Sequence, residues 1–499
     1  MADVDPGAAG RLAALTEMDL RAAFRLRGTV LEVGDGVARV AGLPEAGHDE
    51  LVAFDSGGLG MAYDLALDYT GVVLLSGAER VGAAMGVSAT GQLPSVPVGP
   101  ELLGRVIDPL GRPLDDRPAP GSARRPVFRE APELTERASV RRPLLTGVMV
   151  IDAAIPIGRG QRQLIAGDRN VGKTALALDI VTAQKAGDVA CVYVAIGQPL
   201  GRVLGIREAL LKSGAWPNTV LVAADAAETP GMQYLAPYAG TAVAEGFRDQ
   251  GLDALVVYDD LTKHADAYRE LALLLGRPPG REAFPGDIFY VHAELLERAA
   301  ALSPAAGGGS ITALPIVETI DGDISAYIPT NLISITDGQI YLDAPRFERN
   351  QRPAVDIGRS VSRVGGAAQP AVMRAAARNL RVSMARFESL EALTRVGLDV
   401  DPATRQAITR GRIVRDLLRQ PRFTVRRVAD QVLALTAAAE GWLDDLPPAQ
   451  ARHALWAAAA RARTEIAEVM EGLESGQALS AGWKERLRQA VQGTPETSR

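Results

Sequence analysis

A glycine-rich segment restricts the fold of this chain more than any other feature. The pattern G-x-x-x-x-G-K-[ST] is matched by Gly167, Asp168, Arg169, Asn170, Val171, Gly172, Lys173 and Thr174. Residues 163–166 before it are predicted to form a short buried strand, and residues 175–181 after it a helix. A strand that enters a helix through such a turn points backbone N–H groups at an anion.

The segment therefore predicts a phosphate-binding P-loop. In such a loop Lys173 reaches the β- and γ-phosphates of a nucleotide, and the hydroxyl of Thr174 binds Mg²⁺. The alternative is a glycine-rich turn that only resembles a P-loop. The predicted strand and helix on either side favour the P-loop.

Composition limits the class of protein. At 499 residues the chain has room for roughly two to four domains, at about 150 residues each. Its net charge of −6 argues against non-specific binding to nucleic acid. The single cysteine, Cys191, excludes a disulfide within the chain and suits a reducing cytoplasm. No apolar run of membrane-spanning length and no signal peptide are recognised, so membrane association is expected only through partners.

The sequence changes in character along its length, and the changes predict its domains. A polar lead-in, residues 1–27, precedes short strand-like segments with glycine-rich turns, which predict a small β-barrel over residues 28–94. Residues 95–370 are predicted to form an α/β nucleotide-binding domain, which begins with a Pro-, Gly- and Arg-rich connector to about residue 145. Residues 371–499 are predicted to form a C-terminal α-helical bundle.

Two sets of periodic segments support this division. In the α/β region the clearest strand-like apolar runs are 190–196, 220–223, 255–258 and 311–314. In the C-terminal region the stretches with helical spacing are 371–393, 402–418, 426–440 and 448–476. Apolar runs that alternate with helical segments are typical of a mainly parallel sheet.

Two carboxylates follow one of the predicted strands and are candidates for a metal site. A P-loop needs a second acidic ligand for Mg²⁺ at the end of a neighbouring strand, and Asp259 and Asp260 follow the apolar run 255–258. We take Asp259 as the metal-side residue. Asp260 is the weaker candidate, because an acid after a buried strand is also a common helix N-cap.

Gln198 follows another predicted strand and bears on catalysis. A glutamate there could polarise a water molecule as a base, whereas a glutamine can only orient water by hydrogen bonding. Some nucleotide hydrolases use glutamine in this way, so the residue by itself does not exclude turnover. The alternative is a polar residue at a strand end without a chemical role.

An arginine set among small residues follows the α/β region. Arg363 lies in the segment Ser360-Val-Ser-Arg-Val-Gly-Gly366. It could reach a nucleotide bound in a neighbouring subunit, and the alternative is a solvated surface arginine.

These motifs together resemble those of the α subunits of rotary F-type ATP synthases, from about Gly28 to about Asp445. The segments that carry the resemblance are 155–162, 167–169, 257–261, 277–287, 325–331, 334–339 and 360–365. The block Arg277-Pro-Pro-Gly-Arg-Glu and the pair Gly197-Gln198 are similar to α and not to the catalytic β subunit, which has glutamate in place of Gln198.

The resemblance implies a β-barrel, a RecA-like P-loop domain and a helical C-terminal domain. It implies three α subunits that alternate with three β subunits around a central γ, with a peripheral stalk and a membrane F0 sector attached. It also implies a peripheral location on the cytoplasmic face of a bacterial cell membrane and a role in ATP synthesis or hydrolysis coupled to proton or sodium transport. No nucleic-acid partner is implied.

The resemblance also implies roles for individual residues. The α sites of the family bind ATP or ADP with Mg²⁺ and do not turn it over. Arg363 matches the arginine that α inserts into the catalytic site on β. Ser360 lies in the same segment and is needed for activity in the family's pattern. Arg352 and Gln420 match positions near the nucleotide bound to α.

The chain departs from the family pattern at several positions. Asn170 and Val171 replace Gln-Thr inside the P-loop, Pro199 replaces the Lys that usually follows Gln198, and Arg422 replaces a second adenine-side Gln. Residues 1–10 are a poor match to the helix that docks the δ subunit. These differences suggest a divergent second-copy α from an alternative F-type ATPase.

Two other functions are consistent with a P-loop in this setting. One is a self-sufficient hexameric NTPase, such as a secretion ATPase or an RNA translocase, against which Gln198 and the acidic charge balance argue. The other is a structural subunit with a vestigial P-loop, against which the intact Lys173, Thr174 and Asp259 argue.

Overall fold

The computed structural model describes residues 27–121, 123–185, 187–395 and 401–493. The lead-in expected before residue 27 and the tail after residue 493 lie outside these residues. The chain divides into two compact units, Met1–Leu93 and Pro94–Arg499.

A six-stranded antiparallel β-barrel makes up the described part of the first unit. Its strands are β1 (Arg27–Gly34), β2 (Val37–Ala41), β3 (Leu51–Phe54), β4 (Leu59–Leu65), β5 (Thr70–Ser76) and β6 (Gly86–Ala89). They close in the order β1-β2-β5-β4-β3-β6, and side chains such as Val30, Val40 and Val52 fill the interior. The predicted barrel is confirmed, but β6, which joins β1 to β3, is too short to show a sequence pattern.

An eight-stranded sheet forms the centre of the second unit. Two short ribbons flank it, β7 (Ser95–Pro97) with β9 (Arg124–Pro126), and β10 (Pro143–Leu144) with β11 (Ile157–Gly158). The sheet strands are β8 (Val106–Ile107), β12 (Leu164–Gly167), β13 (Val189–Gln198), β14 (Thr219–Asp225), β15 (Asp253–Asp259), β16 (Ser310–Glu318), β17 (Gly338–Leu342) and β18 (Val361–Ser362). They lie in the order β18-β17-β12-β16-β15-β13-β14-β8.

Every pairing in this sheet is parallel except that of β18 with β17. The predicted apolar runs lie inside β13, β14, β15 and β16 and are buried almost throughout, as strands covered on both faces require. The connector expected over residues 95–145 also contributes to the sheet, because β8 pairs with β14 at one edge.

Helices cover the sheet and are spaced between its strands. They are α1 (Met149–Ala154), α2 (Lys173–Ala183), α3 (Leu200–Ser213), α4 (Pro230–Arg248), α5 (Leu261–Leu274), α6 (Ile288–Glu297), α7 (Tyr327–Ile335) and α8 (Ala344–Glu348). Because the strands are parallel, their carboxyl ends meet at one edge of the sheet. That edge is where ligands bind in open α/β folds.

A helical region follows the sheet in the same compact unit. Its helices are α9 (Ala371–Ala377), α10 (Leu380–Arg395), α11 (Pro402–Leu417), α12 (Val428–Ala439), α13 (Pro448–Glu465), α14 (Ala467–Glu474) and α15 (Ala481–Gln492). The first and last predicted stretches each contain two helices, and Ile466 at φ −132° separates the last pair. Within the described residues, no helix has the length and apolar character needed to cross a membrane.

Candidate nucleotide-binding site

The glycine-rich segment forms a tight loop between β12 and α2. Gly167 ends the strand, and a Cβ at this position would lie 2.6 Å from the carbonyl oxygen of Leu342 on the next strand. Asn170 and Gly172 have φ values of 63° and 101°. Glycine and asparagine adopt this left-handed region most readily, which explains why the loop tolerates Asn170.

Lys173 is the first residue of α2, and its ammonium group folds back over the loop. Its Nζ donates hydrogen bonds to the carbonyl oxygens of Gly167 at 2.7 Å and Asp168 at 2.6 Å. Burial lowers the pKa of Lys173 below its usual value, and nearby acids such as Glu318 and Asp260 oppose that shift.

Thr174 and Asp259 meet at the other side of the loop. The Thr174 hydroxyl donates to Oδ2 of Asp259 at 2.9 Å, and the Tyr193 hydroxyl donates to the same oxygen at 2.6 Å. Asp259 is 1% exposed at the end of β15. A hydroxyl and a carboxylate in contact are suitable donors for Mg²⁺, which takes one or two protein ligands and shares the rest with phosphates and water.

Asp260 and Gln198 occupy the same edge of the sheet. Asp260 is the N-cap of α5 and accepts a hydrogen bond from the backbone N–H of Lys263 at 2.9 Å. Burial, and then the neighbouring Asp259, raise the pKa of Asp260 to about 7. The Gln198 amide is buried and donates to the backbone and side-chain oxygens of Asp259 at 3.2 and 3.4 Å.

These groups surround one cavity of about 640 Å³. The predicted site residues that line it are Arg169, Asn170, Gly172, Lys173, Thr174, Gln198 and Asp259. Val171 is buried beneath the loop. Asp168 accepts from the hydroxyl of Thr319 and the N–H of Gly322, so it anchors the loop to the chain beyond β16.

Sequence reasoning missed other residues that line the cavity. Arg202 of α3 donates from Nη2 to the Thr174 hydroxyl at 2.7 Å, and Lys263 of α5 faces the same space. Glu318 ends β16 beside Gly167 and pairs with Arg169 at 2.8 Å. Glu318 could have been found from the sequence, because strand ends in a parallel sheet meet at one edge. No sequence signal marks Arg202.

Arg352 and Gln420 are not among the residues that line this cavity. The guanidinium of Arg352 lies 4.5 Å from the ring centre of Phe347, and that ring approaches Gly172. Gln420 donates to the carbonyl oxygen of Gly147 at 2.7 Å and accepts from the N–H of Met149. Both residues therefore lie near the loop or its supports and make contacts within the chain.

Ser360 and Arg363 lie two strands away from the P-loop, at the edge formed by β18. The Ser360 hydroxyl is fully buried, donates to the carbonyl oxygen of Asp356 at 2.6 Å and accepts from the N–H of Tyr341 at 2.9 Å. Arg363 is exposed, and within the part of the chain that the structure describes its Nη2 donates only to the carbonyl oxygen of Ile333, at 3.4 Å. The structure thus separates these two residues from the P-loop cavity of the same chain.

Three family profiles match the chain in the order of its structural parts. Residues 24–91 match "ATP synthase alpha/beta family, beta-barrel domain". Residues 147–362 match the nucleotide-binding domain of the same family, and residues 369–494 match "ATP synthase alpha/beta chain, C terminal domain". The chain belongs to the ATP synthase alpha/beta family. The resemblance and the fold class predicted from sequence are thereby confirmed.

Several curated members of the ATP synthase alpha/beta family are similar over most of the chain. ATP synthase subunit alpha 1 of Paraburkholderia xenovorans is 52% identical over 457 residues, which cover 91% of this chain and 87% of that protein. Subunit alpha 2 of Burkholderia thailandensis is 54% identical over 88% of this chain and 79% of its own. Subunit alpha of Dehalococcoides mccartyi is 48% identical over 93% of each chain.

Proposed function

We propose that this chain is a non-catalytic, nucleotide-binding α subunit of the F1 sector of a rotary ATP synthase. In this role it alternates with β in a ring of three α and three β around γ. The peripheral stalk and the membrane F0 sector, which moves protons or sodium ions, attach to this ring. The names of the curated relatives and the P-loop cavity support the proposal.

The side chain of Gln198 is the observation that carries the non-catalytic part of the proposal. It stands at the strand end beside Thr174 and Asp259, and its amide donates to Asp259. An amide cannot take a proton from an attacking water. Of the two other acids of the cavity, Glu318 pairs with Arg169, and Asp260 accepts a hydrogen bond from the N–H of Lys263 as the N-cap of α5.

The ligand we propose is ATP or ADP together with Mg²⁺. The loop N–H groups and Lys173 hold the phosphates, Thr174 and Asp259 hold the metal ion, and Arg352 and Gln420 lie towards the base. When bound, Mg²⁺ supplies charge that neutralises the phosphates. The described residues contain no group of three or more His, Cys, Asp or Glu able to hold a metal, which agrees with an ion that shares its ligands with a nucleotide.

For the catalytic site on β we propose that Arg363 is the contributed arginine. Its exposure at the sheet edge leaves the guanidinium available to a neighbouring subunit. Ser360 acts from beneath, since its two backbone hydrogen bonds hold the segment against β17. Ser360 is therefore a positioning residue on this proposal.

Binding and turnover by the purified chain test the proposal. We expect the chain to retain ATP through gel filtration in Mg²⁺ buffer and to hydrolyse it at the background rate. Lys173→Ala should abolish retention, because it removes the cation that reaches the phosphates. Lys185→Ala is the matched control, since Lys185 is exposed, does not line the cavity, and donates from Nζ to the carbonyl oxygen of Ser213.

The same measurements separate the competing functions. Steady turnover by the chain alone, lost in Lys173→Ala, would favour a self-sufficient hexameric NTPase. Absence of any bound nucleotide would favour a structural subunit with a vestigial P-loop. Retention without turnover contradicts both alternatives.

A further inference from the structure

Arg202 projects from the first turn of α3 into the P-loop cavity. Its Nη2 donates to Oγ1 of Thr174 at 2.7 Å. Arg202 makes no ion pair among the residues that the structure describes, although the neighbouring Arg169 is paired with Glu318. An unpaired guanidinium held at a P-loop threonine is unusual, since that hydroxyl is the expected metal ligand.

The hydrogen bonds of Thr174 show where the guanidinium stands. A hydroxyl has one hydrogen and two lone pairs. The hydrogen of Thr174 goes to Asp259 at 2.9 Å, and one lone pair accepts from Arg202. The guanidinium therefore stands at the hydroxyl that would help to hold a metal ion.

The charges that line the cavity favour an anion even without a metal ion. Five cations face it: Arg169, Lys173, Arg202, Lys263 and Arg422. Three acids face it: Asp259, Asp260 and Glu318. Arg169 and Glu318 neutralise each other, and Asp259 is shared among neutral donors. An excess of positive charge is left for phosphate oxygens.

Arg202 is the one cation that α3 contributes among the residues lining the cavity. Pro199, which precedes this helix, carries no side-chain charge. Arg202 is three residues further along, at the start of the helix that Pro199 caps. Its long, exposed stem lets the planar fork move from Thr174 onto a phosphate, where it can donate two hydrogen bonds.

We propose that Arg202 is a phosphate-binding residue that supplies part of the charge otherwise supplied by Mg²⁺, so that nucleotide binds here with little dependence on Mg²⁺. This inference rests on the proposed nucleotide-binding function. With Mg²⁺ present, Thr174 and Asp259 would hold the metal ion, and Arg202 would donate to the phosphates. Without Mg²⁺, Arg202 is the cation on that side of the phosphates.

The dissociation constant of ATP, measured by calorimetry with the full-length chain, tests the inference. Each protein is titrated once in excess Mg²⁺ and once in EDTA. For the unmodified chain we expect EDTA to raise the Kd less than about threefold. For Arg202→Ala we expect EDTA to raise it at least tenfold, about 1.4 kcal/mol, with a near-normal Kd in Mg²⁺. Arg202→Lys should fall between the two, because it keeps charge but loses the fork.

Arg207→Ala provides the matched control. Arg207 lies on the same helix, packs its guanidinium 5.7 Å from the ring centre of Trp216, and does not line the cavity. Its response to EDTA should equal that of the unmodified chain. Thermal melts of each variant identify loss of folding, and Arg202→Lys supplies the comparison if Arg202→Ala is unstable.

The outcomes distinguish this inference from the proposed function. If EDTA raises the Kd of the unmodified chain tenfold or more, or raises the Kd of Arg202→Ala and of the unmodified chain equally, the inference is wrong. The proposed nucleotide-binding function is then unaffected. If the unmodified chain binds no ATP in either buffer, the proposed nucleotide function fails and this inference fails with it.

Discussion

Asp259 and Asp260 are adjacent in the chain but have different partners in the cavity. Asp259 accepts hydrogen bonds from Thr174, Tyr193 and Gln198. Asp260 is 3% exposed and accepts one from the N–H of Lys263. Desolvation disfavours a carboxylate with so few donors, and the pKa of Asp260 is raised to about 7. A titratable group of near-neutral pKa thus lies beside the P-loop.

The raised pKa of Asp260 predicts a pH dependence of stability. The folded state holds a proton between the ordinary pKa of 3.8 and the folded value of about 7, a range in which the unfolded chain has lost it. The free energy of unfolding therefore falls as pH rises through that range. The substitution Asp260→Asn keeps a side-chain oxygen that can accept the N-cap hydrogen bond, but the amide does not titrate. We expect this variant to lose about 1–2 kcal/mol less of its free energy of unfolding between pH 5 and 7 than the unmodified chain does. Urea unfolding at each pH measures the difference.

Asp401→Asn is the matched control for this experiment. Asp401 is also an aspartate at a helix N-cap and accepts from the N–H groups of Ala403 and Thr404 at 3.0 Å. It is exposed, and its hydrogen bonds lower its pKa. Its replacement should leave the fall in the free energy of unfolding between pH 5 and 7 unchanged. If that free energy falls equally with pH in Asp260→Asn and in the unmodified chain, Asp260 is not the group responsible.

The effect of replacing Arg363 on turnover can also be predicted. Negative charge spreads over the phosphoryl oxygens in the transition state, and a positioned guanidinium stabilises it more there than in the ground state. Such arginines raise the turnover rate by a factor of roughly 10³–10⁵. In a complex rebuilt with Arg363→Ala we expect ATPase activity to fall by that order, while ATP binding to this chain stays unchanged. Arg363→Lys should recover little.

The neighbouring Arg359 supplies the control. It is exposed just before the same segment, but its guanidinium stacks 3.7 Å from the ring centre of Tyr341 and donates to the carbonyl oxygen of Gly322. Arg359→Ala should change multisite turnover far less than Arg363→Ala. A loss under about tenfold for Arg363→Ala, roughly 1.4 kcal/mol, would show that Arg363 does not act in the catalytic site of a neighbour.

The helix α4 is almost completely buried against the sheet. Nearly all of its residues between Pro230 and Arg248 are buried. Gly240 makes the close approach possible, because a Cβ there would lie 2.2 Å from Cγ2 of Val194 in β13. Val194 is itself fully buried in the sheet, so a Cβ at position 240 would have to displace a core side chain. The helix position therefore depends on the absence of a side chain.

We expect Gly240→Ala to lower the free energy of unfolding by about 1–3 kcal/mol, the usual effect of overpacking a filled core. Gly205→Ala is its matched partner, since Gly205 lies inside α3 with no atom within 4 Å of a new Cβ. That change should raise stability by about 0.5–1 kcal/mol, because alanine favours helix more than glycine does. Thermal unfolding of both variants measures the difference, and the same sign in both would contradict the packing argument.

For the molecule as a whole, a buried polar network joins the α/β part to the helical part. Asp152 of α1 accepts from the N–H groups of Thr146 and Gly147 and from the side-chain amide of Gln431 on α12.

The same unit exposes an apolar stripe on α3, formed by Leu200, Leu204 and Leu211. Exposed apolar residues on one helix face are typical of a surface that meets another protein.

We expect this stripe to make the chain depend on its β partner. Co-expression with the matching β should raise the soluble yield and the thermal midpoint, and should give an alternating assembly. Leu204→Glu should weaken that assembly, because it places a charge in the apolar stripe, without lowering ATP binding by the chain itself. Size-exclusion chromatography with light scattering measures the outcome. A stable monomer that ignores β would contradict the prediction.

Short-range patterns were enough to predict most of the fold. The P-loop motif, the apolar runs of β13 to β16 and the glycine-rich turns of the barrel are local signals, since each reflects backbone geometry or burial within a few residues. The same local reasoning placed Asp259 and Gln198 at strand ends, because parallel strands share one carboxyl edge. The long C-terminal stretches were predicted as helix, but their interruption near Ile466 was not.

Tertiary structure alone decided the rest, because those contacts join residues that no local pattern relates. The strand β8 takes its place by pairing with β14, more than a hundred residues away, and β6 acquires its role only by closing the barrel. Ser360 is buried because β18 folds back on β17. Arg202 reaches Thr174 because α3 starts beside the P-loop. The sequence by itself determined where the P-loop lies, and the packing of α3 beside that loop decided which additional cation lines its cavity.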